Sequence, residues 1–205
     1  PLLTRTIKFA MERFELSLCL RLASYKDRLT KLANHNGFNE QLTAQENRQL
    51  RYGGGFALFY IGLSQFKSVN DKYGYEFGDR LLQQLGQRLI DDRRKSDFLA
   101  RLDSDRFALI QPQFTSMQDL KCSAERLLTL CERSFQLTID EKTIEATISA
   151  RIGIAVSTQA NPVEKNDLMV LAEKAMSFAK ASTELKFAFA NGRDLYLGQS
   201  IAASG

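Results

Sequence analysis

The stretch from Leu58 to Ile110 limits the possible folds more than any other. It opens with LFYIGLSQFKSVNDKYGYEFGDRLL and closes with RRKSDFLARLDSDRFALI. Read as physical patterns, these are a short apolar strand, a polar turn, a helix and then two apolar runs, FLARL and FALI. The two runs lie on either side of Asp103-Ser104-Asp105-Arg106. Apolar runs flanking a short polar turn pair as an antiparallel hairpin.

The rest of the chain continues this alternation. Leu3, Ile7, Ala10, Phe14, Leu18, Leu22, Tyr25 and Leu29 recur at steps of three and four, which predicts one amphipathic helix over residues 3–29. Such a stripe needs cover, from its own domain or from a second copy in a coiled coil. Further helices are expected over Phe38–Leu50, ended by Gly53-Gly54-Gly55, and over Gly78–Ile90, Met117–Phe135 and Asp167–Ala181. Strands are expected at Phe56–Leu63 and in FQLTI and TIEATISARIGIAV on either side of a turn at Asp140-Glu141-Lys142. One or two short strands should close the chain across Lys186–Leu197. Hairpins without a strict parallel repeat favour an α/β sandwich of sheet and helices over a Rossmann fold.

Composition excludes several classes. The 205 residues, 44% hydrophobic and 25% charged, suffice for one globular domain and an extra element. A net charge of +4 without a basic block gives weak support for an anionic ligand and no case for nucleic acid. Cys19, Cys122 and Cys131 lack C-x-x-C spacing, so reduced cytosolic thiols are expected and a zinc site is not. His35 is the single histidine and reads as a surface or capping residue. Lys8, Glu12, Arg13, Glu15 and Arg21 interrupt the apolar N-terminus, so no membrane span is expected there, and no signal peptide is visible. A start at Pro1, directly on a helix, suggests a fragment of a longer chain, and a cytoplasmic location is expected for this part.

The pattern FKSVNDKYGYEFGD, Phe66 to Asp79, resembles the segment F-K-x-I-N-D-x-x-G-H-x-x-G-D of GGDEF domains, the diguanylate cyclase family. Asp27 to His35 resembles that family's D-x-L-T-x-L-x-N-R, with His35 replacing the arginine, and AEKAMSFAK resembles A-D-x-A-M-Y-x-A-K. The resemblance runs from Asp27 to Leu197. It implies a nucleotidyl-cyclase-like palm, a central, mostly antiparallel sheet flanked by helices and preceded by a long N-terminal helix. It divides the chain into a signalling and dimerisation helix at 1–26 and a degenerate GGDEF domain at 27–205.

The family makes cyclic di-GMP from two GTP molecules held on facing domains, with divalent metals clamping the triphosphate. Magnesium needs hard carboxylate oxygens. The family's ligand positions correspond to Gly62, Ser64 and Asp105, of which only Asp105 keeps a carboxylate. In place of the Gly-Gly-Asp-Glu-Phe hairpin stand Asp103, Ser104, Asp105, Arg106 and Phe107. Arg106 is expected to compete with a metal for the same oxygens, and Asp103 to repel a triphosphate. The resemblance therefore implies no catalysis and no metal site, with magnesium entering only if residual GTP binding survives.

Other family positions persist. Asn70 and Asp79 match residues that read guanine, and Lys67 and Lys180 match basic residues near the phosphates, while Glu184 stands where an arginine is usual. Helix capping and turn formation explain Asn70 and Asp79 equally well. Arg94-Lys95-Ser96-Asp97 lies in the register of the family's inhibitory R-x-x-D motif, which binds cyclic di-GMP, and Arg126 matches an arginine that completes that site from a neighbouring domain. On an exposed turn, Arg94 and Asp97 could together address a guanine edge and phosphate. A solvated charge cluster is the plain alternative, and Arg88 to Asp91 shows how readily the pattern arises.

Four functions remain open: a silent regulatory domain reading cyclic di-GMP at Arg94, Asp97 and Arg126; a GTP sensor controlling a phosphodiesterase domain beyond Gly205; a nucleotide-free dimerisation scaffold; and a weak cyclase. The resemblance implies an upstream sensory domain and a homodimer.

Overall fold

The computed structural model describes residues 25–139, 142–191 and 194–198, together with 7, 8, 11 and 13. Leu3, Ala10, Phe14, Leu18 and Leu22 of the expected stripe, Cys19, and the Asp140-Glu141 turn lie outside these residues. Ile7, Lys8, Met11 and Arg13 are helical.

The helix does not run on to Leu29 as its apolar spacing predicts. Asp27 accepts the Thr30 amide at 2.8 Å and the Thr30 hydroxyl at 2.7 Å, and Lys26 bridges to Ala33. A carboxylate satisfying an amide three residues on offers the backbone an alternative to the helix ladder. Asn34 then accepts from Asn36 and Gly37 and starts α1 (His35–Tyr52), which ends where Gly53 takes a φ of 71°.

β1 (Gly55–Ser64) follows and is the middle of the molecule. α2 (Phe66–Tyr73) and α3 (Tyr75–Asp92) come next as separate helices around Gly74, so the α3 start lies earlier than Gly78. β2 (Phe98–Asp103) and β3 (Arg106–Gln111) form the expected hairpin, and α4 (Met117–Glu132) follows. β4 (Phe135–Ile139) and β5 (Lys142–Ala146) make a small two-stranded sheet of their own. TIEATISARIGIAV is therefore two strands in different sheets, because the chain breaks between β5 and β6 (Ser149–Thr158). α5 (Lys165–Ala181), β7 (Phe187–Asn191) and β8 (Asp194–Gly198) complete the order.

The main sheet runs β2-β3-β1-β6-β7-β8. All its pairings are antiparallel except β6 with β7. β1 is buried on both faces, which its continuous apolar run requires. Phe59, Ile61 and Leu63 pack with Phe77, Leu81 and Leu85 of α3 and with α4. Leu58 and Tyr60 point to the opposite side, against Phe38 and Leu42 of α1 and against Leu168, Ala172 and Met176 of α5. Full burial of side chains such as Phe59 and Ile61 stabilises by about 1.5–3 kcal/mol each. The sheet is thus a mostly antiparallel layer covered by helices on both faces.

Candidate functional site

The sheet brings three strands together at the end of β1. Gly62 lies opposite Arg106 of β3 on one side and Arg151 of β6 on the other, so two guanidinium side chains flank a glycine. A side chain added at Gly62 would run into the thioether of Met176, on α5. α5 can lie this close because Gly153 offers no side chain beneath the Ala172 carbonyl. Arg106 reaches over the same face, donating to Glu173 of α5 at 2.5 Å and to the Tyr60 hydroxyl at 3.3 Å. The Tyr60 hydroxyl, with Glu173 and against the effect of burial, holds the Arg106 guanidinium above its ordinary value. It is a fixed cation.

This corrects the expectation that Arg106 competes with a metal for the Asp105 oxygens, since its carboxylate partner is Glu173. Neighbouring residues of a strand point to opposite faces, and Arg106, the first residue of β3, turns toward α5. Asp105 stays in the turn, where its carbonyl accepts from the Leu63 amide at 3.0 Å and its carboxylate from the Ser104 hydroxyl at 3.3 Å. Asp103 accepts from the Ser104 amide at 2.7 Å. Arg101, which no motif of the sequence marks, donates to the Ser104 carbonyl at 2.8 Å and to Asp27 at 3.1 Å, tying the hairpin to the start of the domain. Magnesium would need several carboxylates here. The aligned positions give Asp105 alone, and the nearby Glu173 is engaged by Arg106. No group of three metal-ligating side chains occurs among the described residues.

The residues expected to read a nucleotide sit around the α2–α3 junction. Lys67 and Asn70 are on α2 and Asp79 is in the first turns of α3, while Lys180 is exposed in the last turn of α5. Asn70 turns its side-chain oxygen inward against Gly78, where the atom is buried without a hydrogen-bond partner. Capping is not the role of Asn70 or Asp79. Gln65 and Gly74 occupy the N-cap positions of α2 and α3, with no side-chain cap bonds.

The turn between α3 and β2 differs from its expected form. Arg94, Lys95 and Ser96 are exposed, but Asp97 is only 2% exposed. Its carboxylate accepts from the Arg94 amide at 3.1 Å and the Ser96 hydroxyl at 3.4 Å, and Arg93 holds its carbonyl at 2.9 Å. Buried carboxylates take such internal partners, so Asp97 shapes the turn while Arg94 projects from it. Arg126, half-buried on α4, donates to the Asp92 carboxylate at 2.6 Å and to its carbonyl at 2.9 Å. Asp119 lies near enough to Arg94 to feel its charge. Bonds from the Thr115 hydroxyl and amide hold its carboxyl below its ordinary value, against a slight effect of burial and with Arg94 as the smallest contribution.

Arg88 is structural. It donates to the Arg133 and Ser134 carbonyls at 2.7 and 2.6 Å, past the C-terminus of α4, and its guanidinium lies 4.0 Å from the centre of the Phe135 ring.

Comparison with known proteins agrees with this architecture. Residues 24–185 match the diguanylate cyclase GGDEF domain family, and the chain belongs to it. The chain is 33% identical over 154 residues to the bifunctional diguanylate cyclase/cyclic di-GMP phosphodiesterase MucR of Pseudomonas aeruginosa, covering 75% of this chain and 22% of that protein. It is 28% identical over 182 residues to the diguanylate cyclase DgcS of Shewanella oneidensis, covering 89% and 57%. It therefore spans well under two thirds of these relatives. The crystal structure of the diguanylate cyclase SiaD with its activator SiaC, from Pseudomonas aeruginosa, superposes with a TM-score of 0.74 at 26% identity, covering 90% of this chain and 69% of that one. The coiled coil and GGDEF domain of DgcB from Caulobacter crescentus, solved with cyclic di-GMP, gives 0.78 at 20% identity over 93% and 97%, a likeness of fold.

Proposed function

We propose that this domain serves cyclic di-GMP signalling as a catalytically silent regulatory element that reads cyclic di-GMP at the Arg94 turn. The observation that carries the silent half is the filled end of β1. Met176 lies over Gly62, Arg106 is paired with Glu173, and Arg151 stands opposite Gly62 as a second cation. Fixed guanidinium charges beside a site of this kind oppose a divalent cation, and without metal the triphosphate loses the charge neutralisation that phosphoryl transfer requires. These residues do not fit magnesium.

The ligand half rests on Arg94. Its exposed guanidinium can take a phosphate bidentately, while buried Asp97 fixes the turn that presents it. Arg126, half-exposed and close to the end of α3 through Asp92, is placed to assist. The N-terminal helix is assigned to pairing two copies and to carrying signals from attached domains of a longer cytoplasmic protein.

The test is a calorimetric titration with cyclic di-GMP and GTP in parallel, with and without chelator. Cyclic di-GMP should bind regardless of metal. Arg94→Ala should weaken it roughly ten- to a hundredfold, the loss of one charged bidentate contact. Lys72→Ala, an exposed lysine in the last turn of α2 away from the Arg94 turn, is the control for cyclic di-GMP. Arg88→Ala would confuse the result, because that side chain supports α4. GTP binding lost on Asn70→Ala or Asp79→Ala, with no heat from cyclic di-GMP, would instead favour the GTP-sensing alternative.

A further inference from the structure

A cavity of about 560 Å³ opens beside the outer strand β2, between the turn that starts the domain, α1 and the end of α3. It is separate from the Gly62 end of the sheet and from the α2–α3 junction. Its floor is apolar: Leu32, Ile90, Phe98 and Leu99, with Ala44 of α1 on one wall. Its rim is basic. Lys26, Lys31 and Arg93 line it against one carboxylate, Glu40. None of these three cations is ion-paired among the described residues: Lys31 donates to the Arg28 carbonyl and Arg93 to the Asp97 carbonyl.

An apolar basin of several hundred cubic ångströms with a few convergent polar groups has the size and chemistry of a small-molecule site. Three cations around it with no carboxylate partner among the described residues select for charge. We infer that this cavity binds a small amphipathic anion, with its oxyanion head at Lys26, Lys31 and Arg93 and its apolar body over Ile90, Phe98 and Leu99. Arg93 belongs both to this rim and to the Asp97 turn. An occupant therefore contacts the support of the Arg94 turn, although binding in the cavity does not require that turn to hold a ligand.

Amide chemical shifts of the 205-residue chain provide the test, titrated with octanoate, octyl phosphate and octan-1-ol. Octanoate or octyl phosphate should give saturable shifts centred on Tyr25–Ala33 and Arg93–Leu99, and the two arms distinguish a carboxylate from a phosphate head. Octan-1-ol should bind about tenfold more weakly for want of a charged contact. Lys26→Glu with Lys31→Glu should weaken the anions by about the same factor. Ala44→Phe, an exposed substitution that fills the wall, should remove binding without changing the melting temperature.

Equal affinity for the alcohol would reduce the site to an apolar depression and overturn the inference. So would an absence of shifts, or shifts centred elsewhere. Nuclear Overhauser contacts from residues 14–24 to Phe98 in the ligand-free chain would also overturn it, since the chain would then be its own occupant.

Discussion

Glu173 accepts a 2.5 Å hydrogen bond from Arg106 across the face of the sheet, with Tyr60 beneath the same guanidinium. The pair joins the start of β3 to the middle of α5. It helps keep α5 pressed over Gly62 and Gly153, in the space that a metal-binding side chain on β1 would need.

Restoring a carboxylate at the end of β1 should therefore cost stability. Gly62→Asp would push a side chain against Met176, and overpacking of this kind costs about 1–3 kcal/mol. Urea midpoints of the variant and the parent measure it. An unchanged midpoint would mean that α5 yields freely and that Gly62 is not sealed.

Asp27 carries a pH-dependent part of the stability. Burial raises its pKa, but bonds from Thr30 and Arg101 outweigh this, so the folded-state value lies below the usual carboxylate range. A group depressed on folding stabilises fully above its unfolded pKa and loses that contribution as pH falls through the folded value. Asp27→Asn should thus cost about 1.5–3 kcal/mol at neutral pH, the scale of a hydrogen bond to a charged group. The difference should close below about pH 4. A gap that stays constant into acid would refute this assignment.

Much of this was legible in the sequence. The continuous apolar run of β1, the FLARL and FALI hairpin and the leucines of α3 fall where their spacing places them. The helix through Leu29 failed because a local carboxylate–amide turn at Asp27 outcompetes an apolar stripe, and periodicity carries no information about such bonds. The partner of Arg106 was hidden for a different reason. Sequence order sets Arg106 beside Asp105, whereas the alternation of strand side chains sends it to Glu173, distant in the chain. The signal was present in AEKAM, an acid in the helix that packs on β1. The buried role of Asp97 could not be read from DDRRKSD, where every residue looks solvated.

The N-terminal helix is expected to pair two copies. Ile7 and Met11, four residues apart and so on one helical face, are 52% and 59% exposed, which leaves two adjacent apolar groups for a partner to cover. Replacing both with glutamate should lower the mass per particle seen by light scattering. Equal masses for variant and parent would assign the helix another role.

The most direct test of the silent-domain account is product analysis. The domain is incubated with GTP and Mg²⁺ or Mn²⁺, and the mixture is separated by chromatography beside a heat-killed control. The account predicts no cyclic di-GMP above that control, for the parent and for Gly62→Asp alike. Product from the parent would contradict it, because the account rests on a Gly62 covered by Met176 and an Arg106 paired with Glu173.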